Sequence, residues 1–383
     1  MYLPPGPVVP GSSEEEDAII SALREHSAAT IARINYRASS MHKYPTPIHD
    51  VLAGFDWIRD TLIRDEFNRP YLARLGVCGE LVGGSLAAML ALTECRLGES
   101  RIGAAAINNP LVDWVFPEEL PLVDPSGIPE PIAADETALP ADEDPMDYIA
   151  QMLPAKSARK RRKPSAKTPP LTAWQRYSDN ATIPTRTLMA QRDQLFRRPE
   201  DYFDRFASPI HFFRSPHAQM VLSQSSDASP SLQPDILHDV ETQMSIDHYA
   251  AVGSQKFSVQ DLPTLTRCRA YTRNYPLAGT KISLPAWHVT TGLESPLSDQ
   301  TNELTKLLRR SIARHTLKSH AGRTRWHDAT EKQMYEEAAE ERVHLIERPG
   351  AGLWTRQNGN TDWTRHIHEM GSWMKHNLEV GLS

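Results

Sequence analysis

Apolar residues are distributed along the chain in two alternating patterns. Short apolar runs of strand length cover residues 29–36, 72–78, 102–107, 284–292 and 343–347. Apolar side chains at helical spacing occupy residues 18–23, 47–62, 81–92, 299–314 and 361–378. The first pattern predicts buried strands and the second predicts helices. Because the two alternate, we expect an α/β fold whose mostly parallel sheet carries helices on both faces.

Three stretches depart from this alternation. Residues 1–13 are rich in Pro, Gly and Ser, which predicts a loop. Residues 117–147 are acidic and proline-rich, and Lys156 to Lys163 form a basic run, so we expect irregular, solvated chain there. Aromatic side chains return over residues 171–215 and predict helices packed on the sheet.

These departures divide the predicted fold into three consecutive parts. Residues 1–115 form the first half of an α/β core, residues 116–280 form an irregular inserted cap, and residues 281–383 form the second half of the core. The chain has 383 residues, of which 40% are hydrophobic. That length and composition suffice for a substantial hydrophobic core in one large domain or two ordinary ones.

Composition narrows the class of protein further. A net charge of -6 gives no general attraction to nucleic acid or membrane surfaces, and no apolar run approaches the ~18 residues of a membrane span. The three cysteines have no metal-ligand spacing and predict reduced thiols in an intracellular, cytoplasmic protein. The first residues lack the basic and apolar regions of a signal peptide. We therefore expect no metal, no cofactor and no nucleic-acid partner.

The most informative stretch is the turn from the apolar run 72–78 into the Ala/Leu-rich helix that follows. It reads Gly79-Glu80-Leu81-Val82-Gly83, with a glycine two positions on either side of its apex. This is the framework of a nucleophile elbow, in which a strained apex residue is presented between a strand and a closely packed helix. The hydrolase form of this turn has Ser at the apex. Leucine cannot be deprotonated and cannot attack a carbonyl carbon.

Several segments, taken in order, resemble the hormone-sensitive-lipase-like esterase branch of the α/β-hydrolase superfamily. They are Asn35-Tyr36-Arg37, Tyr44 to Pro47 with Asp50 and Trp57-Ile58, the elbow Gly79 to Ala88, Pro110 with Asp113-Trp114, the acid loop Thr291 to Asp299, and the base loop Pro349 to Trp354. The likeness covers roughly residues 30–115 and 280–380, and the order and spacing of the segments carry it. It implies an α/β-hydrolase fold and an esterase-like ancestry.

The resemblance also assigns the three catalytic positions of the family to residues of this chain. The nucleophile position falls on Leu81, the acid position on Ser295 and the base position on Ala351. A triad needs a base that takes the proton of the nucleophile and an acid that orients the base. Since all three groups are substituted, we expect hydrolase activity to be lost.

The family's oxyanion loop is altered as well. It supplies backbone N–H donors after the third strand, and its place here is Leu3 to Pro7, where three of five residues are prolines without an N–H group. The resemblance places the family's first two strands upstream of Met1. We therefore expect either a longer natural protein, which an incomplete gene model would explain, or a sheet that has lost one edge.

Substitute catalytic groups are the competing interpretation. Ser85 and Cys78 are the weak candidates for a replacement nucleophile, although a small packing residue and a buried neutral thiol are the simpler roles. Glu294 and Asp299 flank the empty acid position, and His344, His366 and His368 are the histidines nearest in sequence to the base loop. With no nucleophile to serve, these histidines are interpreted as structural.

Two interpretations of the elbow remain open. Gly79, Glu80, Leu81 and Val82 could line a pocket that holds an apolar carboxylate or ester at a helix N-terminus without cleaving it. Alternatively, Leu81 fills this pocket and closes the core. The leading functional hypothesis is a non-catalytic relative of the esterases that binds a ligand or partner, and the alternative is an active carboxylic-ester hydrolase. A third hypothesis uses the run Lys156 to Lys163 as a nuclear-import or interaction segment.

Overall fold

The structure is a computed structural model, and its described part leaves out several segments. The described residues are 1–8, 13–69, 73–98, 100–120, 127–131, 171–221, 264–277, 279–322, 326–354 and 362–379. The basic run Lys156 to Lys163 lies outside them, as does most of the acidic stretch 117–147. The predictions for both segments therefore stay predictions.

In the described part of the chain, a sheet of five parallel strands forms the centre of the fold. The strands are β1 (Tyr2–Leu3), β2 (Arg74–Glu80), β3 (Arg101–Asn108), β6 (Ala286–Gly292) and β7 (Val343–Arg348), in the spatial order β1-β2-β3-β6-β7. Every neighbouring pair is parallel. This arrangement confirms the predicted α/β class with a mostly parallel sheet.

Helices cover both faces of the sheet. Helices α1 (Ser13–Ser27) and α8 (Asp362–Glu379) pack together on one face. The other face carries α2 (Thr46–Trp57), α3 (Leu81–Thr93), α6 (Ser298–Ala321) and α7 (Ala329–Arg342). None of the helices in the described part of the chain is both long enough and apolar enough to cross a membrane.

The residues of β3 pack against helices on both faces of the sheet. Ala104 and Ala106 pack with the α1 and α8 side chains, whereas Ile102, Ala105 and Ile107 pack in the larger cluster on the opposite face. Successive side chains of a strand point to opposite faces, so a strand that is buried on both sides is apolar at nearly every position. Helix α3 is buried on all sides for the same reason, since it lies between the sheet and the chain that follows β3.

The chain between β3 and β6 forms short elements rather than long helices. They are the 3₁₀ turns Pro117–Glu119, Pro199–Phe203 and Pro209–Phe212, the helices α4 (Ala173–Arg176) and α5 (Thr185–Leu195), and the antiparallel strands β4 (Ala218–Val221) and β5 (Thr264–Arg267). Ion pairs of the buried Arg214 fix part of this region to the core. Arg214 contacts the Asp113 carboxylate at 2.8 Å and the Glu303 carboxylate at 2.6 Å. The division into core halves and cap stays a prediction.

Two predictions for the first 40 residues were wrong. Residues 1–13 are not all loop, because Tyr2 and Leu3 form β1 and pair with β2. Residues 29–36 form no buried strand; they are partly exposed and make a single parallel bridge, between Tyr2 and Arg33. The cause is the partner strand, which ends after two residues at Pro4 and Pro5. Proline has no N–H group to extend the ladder of hydrogen bonds.

Helix bounds also differ from those predicted. The apolar stretch 47–62 is an α-helix up to Trp57 and then a π-helical turn at Ile58–Leu62. Helix α6 continues to Ala321, well beyond the predicted end at residue 314, because its apolar face is extended by Leu317. Helix α7 was not predicted, and its residues show why: only Tyr335 and Ala339 of its side chains are buried.

Candidate functional site

The turn between β2 and α3 has the backbone geometry of an elbow. Leu81 stands at its apex with φ of +52°, in the left-handed region that L-residues rarely occupy. The glycines beside it permit close approach of the backbone. A Cβ atom at Gly79 would lie 2.3 Å from the Gly83 carbonyl oxygen, and one at Gly83 would lie 2.1 Å from the Pro4 carbonyl oxygen. Larger residues at these positions would separate α3 from the sheet.

The Leu81 side chain is directed into the protein. Its residue is 0% exposed and belongs to the main core cluster with Val82 and Leu86. The sequence left open whether the elbow holds a ligand pocket or a filled core, and this geometry favours the filled core. The apex supplies apolar contact area and no reactive group.

The backbone donor that follows the apex is already bonded. In the hydrolase form of this turn the N–H of the residue after the nucleophile stabilises the oxyanion. Here that N–H belongs to Val82 and donates to the Pro5 carbonyl oxygen at 3.3 Å. The Tyr36 hydroxyl donates to the neighbouring Pro4 carbonyl oxygen at 2.6 Å, which holds this proline segment against the elbow. A carbonyl oxygen thus occupies the position that a developing oxyanion would need.

The residues at the predicted acid and base positions take part in local packing and hydrogen bonding. Ser295 is fully buried, and its hydroxyl oxygen accepts the Leu297 N–H at 3.2 Å in the turn that starts α6. Ala351 lies against Gly292, where an added Cβ would be 2.3 Å from the Ala351 carbonyl oxygen. The two loops that would carry the acid and the base therefore touch through their backbones at the carboxyl edge of the sheet.

A buried polar network joins this edge to the base loop. The Glu80 carboxyl oxygen Oε1 accepts the Trp354 N–H at 2.6 Å and the Asn108 side-chain amide at 2.7 Å. The same Asn108 amide nitrogen donates to the Gly352 carbonyl oxygen at 2.8 Å. Strands β2 and β3 are thereby fastened to the loop after β7 by side chains that are almost fully buried.

Asn109 extends the network to the acid loop. Its amide nitrogen donates to the Ala351 carbonyl oxygen at 2.9 Å, and its amide oxygen accepts the Thr291 hydroxyl at 3.0 Å and the Gly292 N–H at 3.3 Å. Asn108 and Asn109 were not predicted from the sequence to be site residues. The sequence contains a feature that could have identified them, because two consecutive asparagines follow the apolar run of residues 102–107.

Burial shifts the acidity of Glu80. Removal from water raises the pKa of its carboxyl group to about 8, against the opposing effect of the Trp354 and Asn108 hydrogen bonds. The group is therefore largely protonated at neutral pH. Glu80 acts in this geometry as a neutral hydrogen-bonding residue of the network.

Neither weak substitute nucleophile has a catalytic environment. The Ser85 hydroxyl is fully buried and donates to the Ala207 carbonyl oxygen at 3.4 Å. The Cys78 side chain packs with the α1 and α8 layer, which is the face of the sheet opposite to α3. Burial raises the pKa of its thiol to about 11, so the thiolate is scarce at neutral pH. In the described part of the chain, neither group forms a hydrogen bond with a histidine.

The residues that flank the predicted acid and base positions either contact other parts of the chain or are exposed. Asp299 accepts the Ala173 N–H at 2.6 Å, at the start of α4, and Glu294 is exposed. The exposed His368 ring stacks on His26 of α1 with 3.4 Å between ring centroids. His344 is exposed and lies within 2.7 Å of the Glu341 carbonyl oxygen. Across the described ranges, no cluster of three or more His, Cys, Asp or Glu side chains is arranged to hold a metal ion.

The fold and the elbow place the chain in a known class. The alpha/beta hydrolase fold family matches residues 1–211, which is more than half of the chain, and the chain belongs to this family. The resemblance to its hormone-sensitive-lipase-like esterase branch is confirmed. The family is therefore esterase-like, and the chain's own activity is a separate question.

Individual relatives agree with this assignment. An arylesterase of Saccharolobus solfataricus is 29% identical over 92 residues, which span 24% of this chain and only 29% of that enzyme. A hyperthermophilic esterase from the archaeon Pyrobaculum calidifontis has a similar structure, with a TM-score of 0.52 at 17% identity over 98% of this chain and 73% of the esterase. Carboxyl esterase 2 of the fungus Tuber melanosporum gives a TM-score of 0.51 at 12% identity, covering 99% of this chain and 76% of that enzyme. At these identities the structural likeness shows the fold.

The strain at Leu81 predicts an unusual order of stabilities among its variants. Leu81→Ala removes a fully buried side chain and lowers the free energy of unfolding by about 2–5 kcal/mol. Leu81→Gly removes the same side chain but relieves the left-handed backbone, so it is more stable than the alanine variant by about 1 kcal/mol. Urea denaturation of both variants measures the difference.

Leu86 provides the matched control for this experiment. It is equally buried and lies in the middle of α3. There glycine is less stable than alanine by about 1 kcal/mol, because a helix interior disfavours glycine. If the glycine variant were less stable than the alanine variant at both positions, the strained geometry at Leu81 would be contradicted.

The raised pKa of Glu80 predicts a pH-dependent stability difference between the wild type and Glu80→Gln. The folded protein holds the proton up to pH about 8, whereas the unfolded chain releases it near the ordinary glutamate value. Protonated Glu80 therefore contributes its full stabilisation when the pH is below the pKa of this group in the unfolded chain. The contribution declines by about 1.4 kcal/mol per pH unit as the pH rises from that pKa towards the pKa in the folded protein. Glutamine retains the acceptor oxygen and has no titration.

Urea denaturation midpoints at pH 5 and pH 8 check this expectation. The two proteins have similar midpoints at pH 5, and the glutamine variant is the more stable one at pH 8. If the difference between the two denaturation midpoints were the same at pH 5 and pH 8, Glu80 would be ionised in the folded state at both pH values. That result would contradict the expected effect of its burial.

Proposed function

We propose that this chain is a non-catalytic member of the α/β-hydrolase esterase family that acts by binding. The observation that carries the proposal is the apex of the elbow, where Leu81 is 0% exposed in a left-handed backbone. The position from which a nucleophile would attack is occupied by hydrocarbon. Ser295 and Ala351 leave the accompanying acid and base roles empty.

The condition of the oxyanion site supports the same proposal independently of the triad. Stabilisation of the oxyanion is commonly the largest single contribution to acyl-transfer catalysis, and it depends on N–H donors that point at the reacting oxygen. The Val82 N–H is bonded to the Pro5 carbonyl oxygen. A replacement nucleophile alone would therefore lack the donor that the reaction needs.

The competing function is an active carboxylic-ester hydrolase with a non-standard nucleophile. Its support is the family itself, since the relatives named above are esterases. Its difficulty is local chemistry. Ser85 donates to a backbone carbonyl oxygen, and the Cys78 thiol lies on the far face of the sheet with its pKa raised by burial.

The binding surface in this proposal is the outer side of the region where the acid loop meets the cap. The elbow residues Gly79 to Val82 are packed in the core and offer little room for an apolar carboxylate or ester. Leu293 of the acid loop is 52% exposed, and Leu171, just before α4, is 64% exposed. The hydrogen bond from Ala173 to Asp299 joins these two segments. These two exposed leucines are the apolar side chains that the proposed surface offers to a protein partner.

Turnover of a short-chain aryl ester tests the loss of catalysis. Purified protein is expected to hydrolyse 4-nitrophenyl acetate no faster than buffer that contains an equal concentration of an unrelated folded protein. Ser85→Ala and Cys78→Ala are expected to match the wild type. Turnover that either substitution abolishes would establish the competing function.

Calorimetric titration with octanoate tests the remaining ligand hypothesis. We expect no saturable binding, because Leu81 fills the elbow and Pro5 occupies the Val82 N–H. Saturable binding that Leu81→Ala strengthens would instead place an apolar carboxylate at the elbow, and the partner-binding part of the proposal would then be replaced by ligand binding.

A further inference from the structure

A junction of charged side chains joins the chain before β4 to the core. Arg214 is 4% exposed, and its Nη2 atom donates to the Asp113 Oδ2 atom at 2.8 Å. Its Nε atom donates to the Glu303 Oε1 atom at 2.6 Å. Asp113 follows β3 and Glu303 lies on α6, so one guanidinium connects three separate parts of the fold.

His217 is the fourth member of this junction. Its Nδ1 atom lies 3.2 Å from the Asp113 Oδ2 atom and 3.3 Å from the Arg214 Nη1 atom. The His217 side chain is 25% exposed, so its ring can exchange protons with the solvent. His217 immediately precedes β4, and its carbonyl oxygen accepts the Cys268 N–H at 2.9 Å, just after β5. The imidazole therefore connects the base of the two strands to the junction.

The ribbon of β4 and β5 depends on this connection. In the described part of the chain, the two strands form a sheet of their own with four residue pairs, separate from the central sheet. A two-stranded sheet is only marginally stable by itself. How often the ribbon opens therefore depends on how firmly its base is attached to the rest of the protein.

The charge of the junction depends on the state of His217. The Asp113 and Glu303 carboxylates and the Arg214 guanidinium together carry one net negative charge, which a protonated imidazole would neutralise. Protonated His217 donates its Nδ1–H to the Asp113 carboxylate, and hydrogen bonds between charged groups are the stronger ones. The Arg214 Nη1 atom then still has an acceptor, the Ser215 carbonyl oxygen at 3.2 Å.

The other two members that contact His217 keep their charge at mildly acidic pH. Burial acts to raise the pKa of the Asp113 carboxyl group, but His217 and Arg214 beside it lower that pKa well below its ordinary value. Arginine does not lose its proton in proteins. Histidine is the residue type that titrates between pH 5 and pH 8.

The surrounding groups do not add a second titration in this range. Burial lowers the pKa of the His211 imidazole to about 3 and raises the pKa of the Cys268 thiol to about 11, so both are neutral. The Arg273 guanidinium donates to the His211 carbonyl oxygen at 3.2 Å. Glu130 and Arg269 form an ion pair with each other at 3.4 Å.

We propose that His217 is a pH-dependent attachment point, at which protonation of the imidazole fastens the base of the β4–β5 ribbon more firmly to Asp113. The ribbon is then held more loosely at pH 8 and more tightly at pH 5. The junction lies outside the elbow and does not depend on the proposed loss of catalysis.

Hydrogen–deuterium exchange of the full chain at pH 5 and pH 8 tests this attachment. The readout is the exchange rate of peptides that cover β4 and β5, corrected for the intrinsic effect of pH on amide exchange. In the wild type we expect the corrected exchange to be about fivefold slower at pH 5, the effect of one additional hydrogen bond. Exchange that is equal at the two pH values, or faster at pH 5, would overturn the proposal.

Two histidine variants separate this effect from other titrations. His217→Gln is expected to abolish the difference between pH 5 and pH 8, because glutamine does not titrate. His49→Gln, which removes an exposed histidine from α2, is expected to keep the full difference. Both variants retain Glu80, so the effect of its titration is common to them. A difference of wild-type size in His217→Gln would refute the role of His217.

Glu303→Gln gives a second route if His217→Gln fails to fold. The Glu303 side chain is 44% exposed, and glutamine retains an acceptor for Arg214. Because this change removes one negative charge, protonation of His217 would leave the junction with a net positive charge. We expect the difference between pH 5 and pH 8 to be smaller than in the wild type, and a difference of wild-type size would contradict the proposal.

Discussion

The left-handed backbone of Leu81 is the constraint on which the carboxyl edge of this sheet depends. Strand β2 passes directly into α3 through this conformation, which costs a residue with a side chain about 1–2 kcal/mol. Complete burial of the leucine side chain contributes about 1.5–3 kcal/mol in the opposite direction. The strain that presents a reactive group in a catalytic elbow is here offset by packing. Retention of the turn with a leucine at its apex is therefore physically consistent with a core role.

The loops around the elbow are held together by a different set of bonds from that of a catalytic triad. A triad joins its loops through side chains that must also transfer a proton. Here Glu80, Asn108 and Asn109 join β2, β3, the acid loop and the base loop through fixed hydrogen bonds, and Glu80 is largely protonated because it is buried. Buried polar groups that are hydrogen-bonded in this way favour one rigid arrangement. Such rigidity suits a binding scaffold and does not require access to the elbow.

Much of the fold could be predicted because local sequence patterns determine its helices and strands. The β2–α3 elbow, the start of α6 and the last strand follow from apolar periodicity and glycine spacing, and the apex residue could be identified from five letters of sequence. The absence of a strand at residues 29–36 could not be predicted from those residues. It results from Pro4 and Pro5, which end the partner strand β1. The hydrogen bond between Val82 and Pro5 and the protonation of Glu80 depend on long-range packing and burial, which local sequence does not encode.

Under the proposed function, no nucleophile is presented at the predicted catalytic position, Leu81. Intact-protein mass spectrometry after incubation with a fluorophosphonate tests it directly, because such a probe forms a lasting covalent bond with an activated hydroxyl and needs no completed turnover. We expect an unchanged mass for the folded protein. One adduct per molecule would contradict this expectation if it formed on the folded protein and did not form on protein that was denatured before the probe was added.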